Sequence, residues 1–186
     1  MFTQYRTDLI NALRAVNHEE VYRAYNIISR ARAQNASVFI IGNGGSAATA
    51  SHFANDLVKM AGVRAFSVPD MVPAVTAYGN DESWKQMYAA VLGVMLLPQD
   101  VVVAISCSGN SPNVVEAVKS VKDSPLPGLK VIALLGADYD CKVAKLEPNV
   151  SIFVPFKDIR VQEDCHLAIC HCIAGDLANG KAEGSV

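Results

Sequence analysis

At 186 residues the chain is long enough for one domain with a full hydrophobic core and too short for two ordinary domains and a linker. Hydrophobic residues make up 51% and charged residues 18%, a balance that argues against disorder and fits a sheet buried on both faces. A formal net charge of −2 without a basic run argues against a nucleic-acid surface, and the longest apolar stretches have strand length, far short of a membrane span.

The first ~35 residues place Leu9, Leu13, Val16, Val21, Tyr25 and Ile28 at three- and four-residue spacing, which predicts one or two amphipathic helices packed on something. Their scattered charges lack the order of a signal peptide. Apolar runs then alternate with helical patterns: 37–42, 63–68, 73–78, 101–106, 130–135 and 150–155 are expected strands. Continuous Val/Ile runs with crossover helices predict an α/β fold, a three-layer α/β/α sandwich with a mostly parallel, flavodoxin-like or Rossmann-like sheet and added N-terminal helices. No linker divides it, so 1–186 is expected to form a single domain, with 179–186 a frayed end. The five cysteines, Cys107, Cys141, Cys165, Cys170 and Cys172, show no disulfide framework, which fits a reducing cytoplasm.

In a parallel sheet, ligands bind outside the carboxyl ends of the strands. Two Gly- and Ser-rich segments are expected there. GNGGS at 42–46 follows the first expected strand and opens a helix near Ser46; SCSGNS at 106–111 follows another, with Pro112 suited to a first helical turn. Glycines let a backbone approach an anion, and helix N-termini with free N–H groups and hydroxyls make a neutral phosphate cradle. Neither segment has the G-x-G-x-x-G spacing or the Gly-Lys-Ser/Thr of a P-loop, so no nucleotide cofactor is expected.

Four segments, GNGGSAATASHFANDL (42–57), TAYGNDESW (76–84), AISCSGNSPNVVEAV (104–118) and EDCHLAICH (163–171), resemble the sugar isomerase (SIS) domains, and among them the phosphoheptose isomerases. The resemblance implies a cytoplasmic homotetramer, with residues 1–35 in the oligomer interface and sites between subunits. It implies interconversion of sedoheptulose 7-phosphate and D-glycero-D-manno-heptose 7-phosphate, with zinc as a possible cofactor. Carried over by motif, Asn43, Gly44, Gly45, Ser46, Asn80 and Asp81 would contact substrate, and Ser106, Cys107, Ser108 and Ser111 would form the phosphate loop. His52, Asp56, Glu163 and His171 fall on metal and acid/base positions, Glu163 also on a substrate position. The family usually has Glu where this chain has Asp56 and Gln where it has Glu163, with Gln162 adjacent.

An aldose–ketose isomerase needs a base, an acid and a partner for the enediolate oxygen. Asp56, four residues after His52 and on the same helix face, is the expected base, and His171 its complement. The same residues with Glu163 offer two imidazoles and two carboxylates, a donor set that zinc accepts. Plainer roles compete: His166 as a core or interface histidine, the CHLAICHC cysteines as packing residues, Cys107 acting through its N–H, Trp84 and Tyr88 as core or interface residues, and Asp81 as the cap of a helix starting near Glu82. The alternatives to the isomerase are a catalytically weak or inactive phosphosugar-binding module and an isomerase of another sugar phosphate.

Overall fold

The computed structural model describes residues 1–182. Two amphipathic helices lead, α1 (Phe2–Ala15) and α2 (His18–Ala33), the second capped by Asn17, whose side chain accepts from the Glu19 N–H. Five strands follow with their crossover helices: β1 (Ser37–Gly42), α3 (Gly45–Asp56), β2 (Arg64–Ser67), α4 (Val72–Asp81), α5 (Met87–Met95), β3 (Val101–Ser106), α6 (Pro112–Lys122), β4 (Lys130–Leu135), β5 (Val150–Phe153) and α7 (Ile159–Ala182). Part of the expected frayed end, 179–182, is thus the last turn of α7, and the rest lies outside the described residues.

All strand pairs are parallel, in the order β2-β1-β3-β4-β5. This is the flavodoxin-like order, in which the crossovers change direction between β1 and β3 and leave a crevice at their carboxyl ends. Gly42 at the end of β1 lies in register with Ile105 near the end of β3, so both Gly/Ser segments leave the sheet side by side.

Alternate residues of each strand feed two apolar layers. Val38, Ile40, Val103, Ile105, Ile132 and Leu134 pack against α1, α2, α3 and α7, with Phe53 and Leu177 fully buried among them. Phe39, Ile41, Val102, Ala104, Ala133 and Leu135 pack against α5 and α6, with α4 along the margin. The expected three layers are present.

One expected strand is a helix. The run at 73–78 lies inside α4, with Pro73 in its first turn. Met71, Ala74, Val75 and Tyr78, which pack on the second apolar layer, recur at a helical spacing that a short apolar run conceals. Asp81 is consequently the last residue of α4 and caps no helix at Glu82; the next one begins at Met87.

Candidate functional site

The first Gly/Ser segment makes a tight turn from β1 into α3. Gly44 has φ +54° and ψ −122°, a conformation that a side chain would oppose. Gly45 opens α3 beneath Glu163: a methyl group there would run into the Glu163 carboxylate. Tyr88, buried on α5, donates its hydroxyl to the Gly42 carbonyl, and burial pushes its pKa up to about 12. Tyr88 therefore belongs to the core, as expected, whereas Trp84 is exposed in the turn before α5.

The second segment is stapled by its own serines. The Ser106 hydroxyl accepts from the Gly109 N–H at 3.1 Å and the Ser108 hydroxyl from the Asn110 N–H at 3.2 Å. Ser111 precedes Pro112 at the start of α6, without a side-chain cap bond. Each staple leaves the hydroxyl hydrogen available to a ligand oxygen.

One bond pair joins the two segments, and the residue completing it escaped the sequence reading. Asn113 is fully buried; its amide donates to Asn43 Oδ1 at 2.8 Å and accepts from Asn43 Nδ2 at 2.9 Å. Asn113 Oδ1 also accepts from the Val114 N–H. Its position after Pro112 in a first helical turn was the available signal, since Asn there commonly bonds local backbone.

Cys107 lies where the segments meet. Burial, reinforced by the nearby Glu163 carboxylate, pushes its thiol up to about 11, against a lesser opposing pull from the Ser46 hydroxyl. The thiol is therefore un-ionised at neutral pH and a poor nucleophile. Asn43, Gly44, Gly45, Ser46, Ser106, Cys107, Ser108, Ser111 and Glu163 thus gather around one crevice.

His52, Asp56 and His171 gather elsewhere, further along α3 and α7. Asp56 is buried and its Oδ2 accepts from His171 Nδ1 at 2.9 Å, with His52 Nε2 at 3.6 Å. The two rings meet edge-to-face, centroids 4.8 Å apart, and each histidine side chain is about half exposed. One ligand atom from each of the three lies within 4.8 Å of the others. Glu163 of the same chain is not in this group: it is two helical turns back along α7, against Gly45, so the expected four-residue ligand set is three residues here. Asp56 ends α3, which continues as one π-helical turn over Leu57–Ala61, closed by Gly62; such turns frequently accompany functional positions.

Asn80 and Asp81 end α4, both exposed, and Asn80 Nδ2 donates to Asp81 Oδ1 at 2.8 Å. The structure brings them to neither cluster. His166 is fully buried, the core histidine expected as the plainer role. Cys165 and Cys170 are likewise buried, and burial pushes the Cys170 thiol strongly up, but Cys172 is exposed and is not a packing residue.

A parallel sheet in this order with two anion-suited loops at its switch point defines a class. The family model described as the SIS domain matches residues 1–136. Among curated proteins, the phosphoheptose isomerase of Trichlorobacter lovleyi is 34% identical over 149 residues, covering 77% of this chain and 73% of that one. The phosphoheptose isomerase of Bordetella avium is 34% identical over 169 residues, covering 86% and 82%. A solved phosphoheptose isomerase from Neisseria gonorrhoeae superimposes with a TM-score of 0.85 at 28% identity, covering 96% of this chain and 95% of that one. The chain belongs to the phosphoheptose isomerases of the SIS-domain family, which are aldose–ketose isomerases.

Proposed function

We propose that this protein interconverts sedoheptulose 7-phosphate and D-glycero-D-manno-heptose 7-phosphate through an enediolate. The observation that carries the reading is the pairing of a cradle of hydroxyls and amides at the β1/β3 switch point with an Asp-oriented histidine pair on α3 and α7. The hydroxyls of Ser46, Ser106, Ser108 and Ser111, with the N–H groups opening α3 and α6, bind the phosphate, whose charge the helix N-termini favour. The N–H of Cys107, rather than its thiol, serves the same cradle. Asn43, held by Asn113, and Glu163 bind sugar hydroxyls near it. Asn80 and Asp81 contact substrate from a neighbouring subunit.

His171 carries the proton between the neighbouring carbons. Bonded through Nδ1–H to Asp56, its imidazole presents Nε2 outward as the acceptor. Asp56, the base expected from the sequence, is covered by both imidazoles, so its role is to orient and charge-stabilise His171. The same three residues offer zinc a suitable donor set, as an alternative to the metal-free arrangement, because a zinc-bound His171 would no longer bond Asp56 through an N–H. Bound there, zinc would supply a Lewis acid for the sugar carbonyl.

The site is completed between subunits of a homotetramer. Ser46 and Asp56 stand ten residues apart on α3, roughly 15 Å at the helical rise. The eight bonds from C1 to phosphorus of an extended heptose phosphate cover roughly 9 Å by ordinary chain geometry. The cradle of one subunit and the histidines of another can meet where those of one chain are too far apart. Residues 1–35 lie in the interface: Phe2, Ile10, Leu13 and Tyr22 are exposed, and an apolar groove of about 670 Å³ runs between α1, α2 and α7. One SIS domain over 1–186, acting in the cytoplasm, accommodates the free cysteines, and no described helix is long and apolar enough to cross a membrane.

Incubation with sedoheptulose 7-phosphate, followed by NMR, tests the activity. The expected result is appearance of the aldoheptose, with added zinc and a chelator as the two arms that tell the metal-bound arrangement from the metal-free one. If no aldoheptose forms in either condition the isomerase reading fails. Thermal stabilisation by the same sugar phosphate would then leave a binding module.

A further inference from the structure

The phosphate cradle is a loop, and the chemistry assigned to it needs that loop held still. Its own serine staples fix its shape but not its position relative to the neighbouring strand. The segment after β4 holds it from one side, where the Val143 N–H donates to the Gly109 carbonyl at 3.0 Å and the Lys142 N–H to Asn110 Oδ1 at 3.0 Å, and α7 holds it from below, through residues outside the cradle and the histidine–aspartate cluster.

Gln162 and His166 are four residues apart on α7, hence on one face, and both are buried, at 5% and 0% exposure. His166 Nε2 lies 3.0 Å from the Leu135 carbonyl at the end of β4. A carbonyl can only accept, so Nε2 carries the ring hydrogen and Nδ1 is left as an acceptor. Nδ1 faces Cys107 Sγ at 3.9 Å, where the un-ionised thiol has a hydrogen to donate. From the loop side, the Cys107 carbonyl accepts from the Gly136 N–H at 3.1 Å. Gly136 follows Leu135 directly, so the contacts close a ring: Leu135 to His166, His166 to Cys107, and Cys107 to Gly136. Gln162 backs that ring. Its amide donates to the Phe156 carbonyl, and a methyl group added to Gly136 would come within 2.5 Å of Gln162 Oε1.

We propose that His166 is a positioning residue for the phosphate loop, a strut that fixes Cys107, and with it the cradle amides, against the carboxyl end of β4. Packing alone would not select it: an apolar side chain fills space without the desolvation cost that a buried imidazole carries. What the imidazole adds is two opposed bonding edges, one for the strand and one for the loop. Full burial denies it any contact with substrate, so it acts only through Cys107.

The inference rests on the phosphosugar reading of the cradle, and its test separates the two. The probes are inorganic phosphate and sedoheptulose 7-phosphate, applied to the full chain with His166→Phe, which retains bulk and loses both edges, and with His166→Gln, whose amide can still donate to Leu135. In the unliganded His166→Phe protein, hydrogen exchange at the Gly109 and Gly136 amides should quicken at least tenfold. The dissociation constant for inorganic phosphate and the KM for the sugar phosphate should each rise about tenfold, the loss expected for one buried hydrogen bond, with kcat within about threefold. His166→Gln should recover most of each change. Should His166→Phe not fold, Cys107→Ala removes the loop's end of the strut and should move exchange and phosphate affinity in the same direction. Unchanged exchange at both amides overturns the strut whether or not the protein is an isomerase. Quickened exchange with unaltered phosphate affinity reduces His166 to a structural residue and equally overturns the proposal. An unaltered His166→Phe exchange pattern and a wild type that turns over no sugar phosphate would be separate failures, the second belonging to the functional reading alone.

Discussion

The crevice at β1 and β3 and the histidine cluster further along α3 differ in how complete they are within one chain. At the crevice, Ser106, Ser108, Asn43 and Asn113 already satisfy one another and the backbone, and Tyr88 braces Gly42 from beneath. At the cluster, Asp56 is buried and bonded while both imidazoles stand about half in solvent with their outer edges unused. On the proposed reading the contrast separates binding from chemistry: a cradle for an anion is built by local backbone, whereas the proton-transfer groups stand open to solvent. Water exclusion strengthens interactions at such a site, so the open cluster is the one that would gain from cover by the proposed neighbouring subunit.

Removing His171 probes that contrast most sharply. His171→Ala should lower kcat by about 10³-fold, within the range for loss of a positioned proton-transfer group, while inorganic phosphate binding stays unaltered. The side chain is about half exposed, so folding should survive, as thermal melting would register. If the cradle and the cluster of different subunits meet, co-expression of His171→Ala chains with Ser111→Ala, Ser108→Ala chains should restore activity. Random mixing regenerates roughly a quarter of the wild-type sites. Equal inactivity of the mixture and of each parent would mean that one chain supplies both halves of its own site.

The two regions also differed in legibility. The crevice was readable because its determinants are local: Gly44 needs its backbone conformation, and Pro112 and the serines mark the entry to α6 within a few residues. The alternation of strands and helices indicated a parallel sheet, but the order that puts the loops side by side was left between flavodoxin-like and Rossmann-like, because alternation does not say which strands are neighbours. The cluster was readable only through resemblance, since Asp56 and His171 are 115 residues apart and meet because α3 packs beside α7. The same long-range geometry took Glu163 out of the metal group. It also hid Asn113, a polar residue whose partner lies 70 residues upstream, and it could not be seen in the run at 73–78, where helical spacing and strand-like composition coincide.

Asn113 tests the completeness of the crevice at an intermediate scale. Asn113→Leu removes both amide bonds to Asn43 and leaves that side chain half-satisfied beside Tyr88 Oη. Stability in urea should fall by about 2–4 kcal/mol, the scale for breaking a buried polar pair, and the KM for the sugar phosphate should rise by at least tenfold. His171→Ala should leave the affinity for inorganic phosphate unaltered. If Asn113→Leu instead lost kcat with KM preserved, the cradle and the cluster would be coupled more tightly than their separation on α3 implies.

The smallest expected effect is a dependence on pH that belongs to the crevice side alone. Burial holds His166 down to about 4, against a slight opposing pull from the Leu135 carbonyl, whereas in the unfolded chain it titrates near the ordinary imidazole value of 6.5. Between these two values the unfolded state binds a proton that the folded state does not. Stability therefore rises with pH across that window and is lost as pH falls from about 6.5 toward 4. Above it both states are neutral and the residue contributes no slope. By about pH 5 the loss from this one group amounts to ~2 kcal/mol. His166→Phe removes the titration, so its urea midpoint should decline less between neutral pH and about pH 5 than that of the wild type, whatever its absolute stability. His171→Ala leaves His166 in place, so that chain should keep the decline that His166→Phe loses. Parallel declines for wild type and His166→Phe would show that the imidazole takes up its proton in the folded state, and the strut would then lose its fixed tautomer.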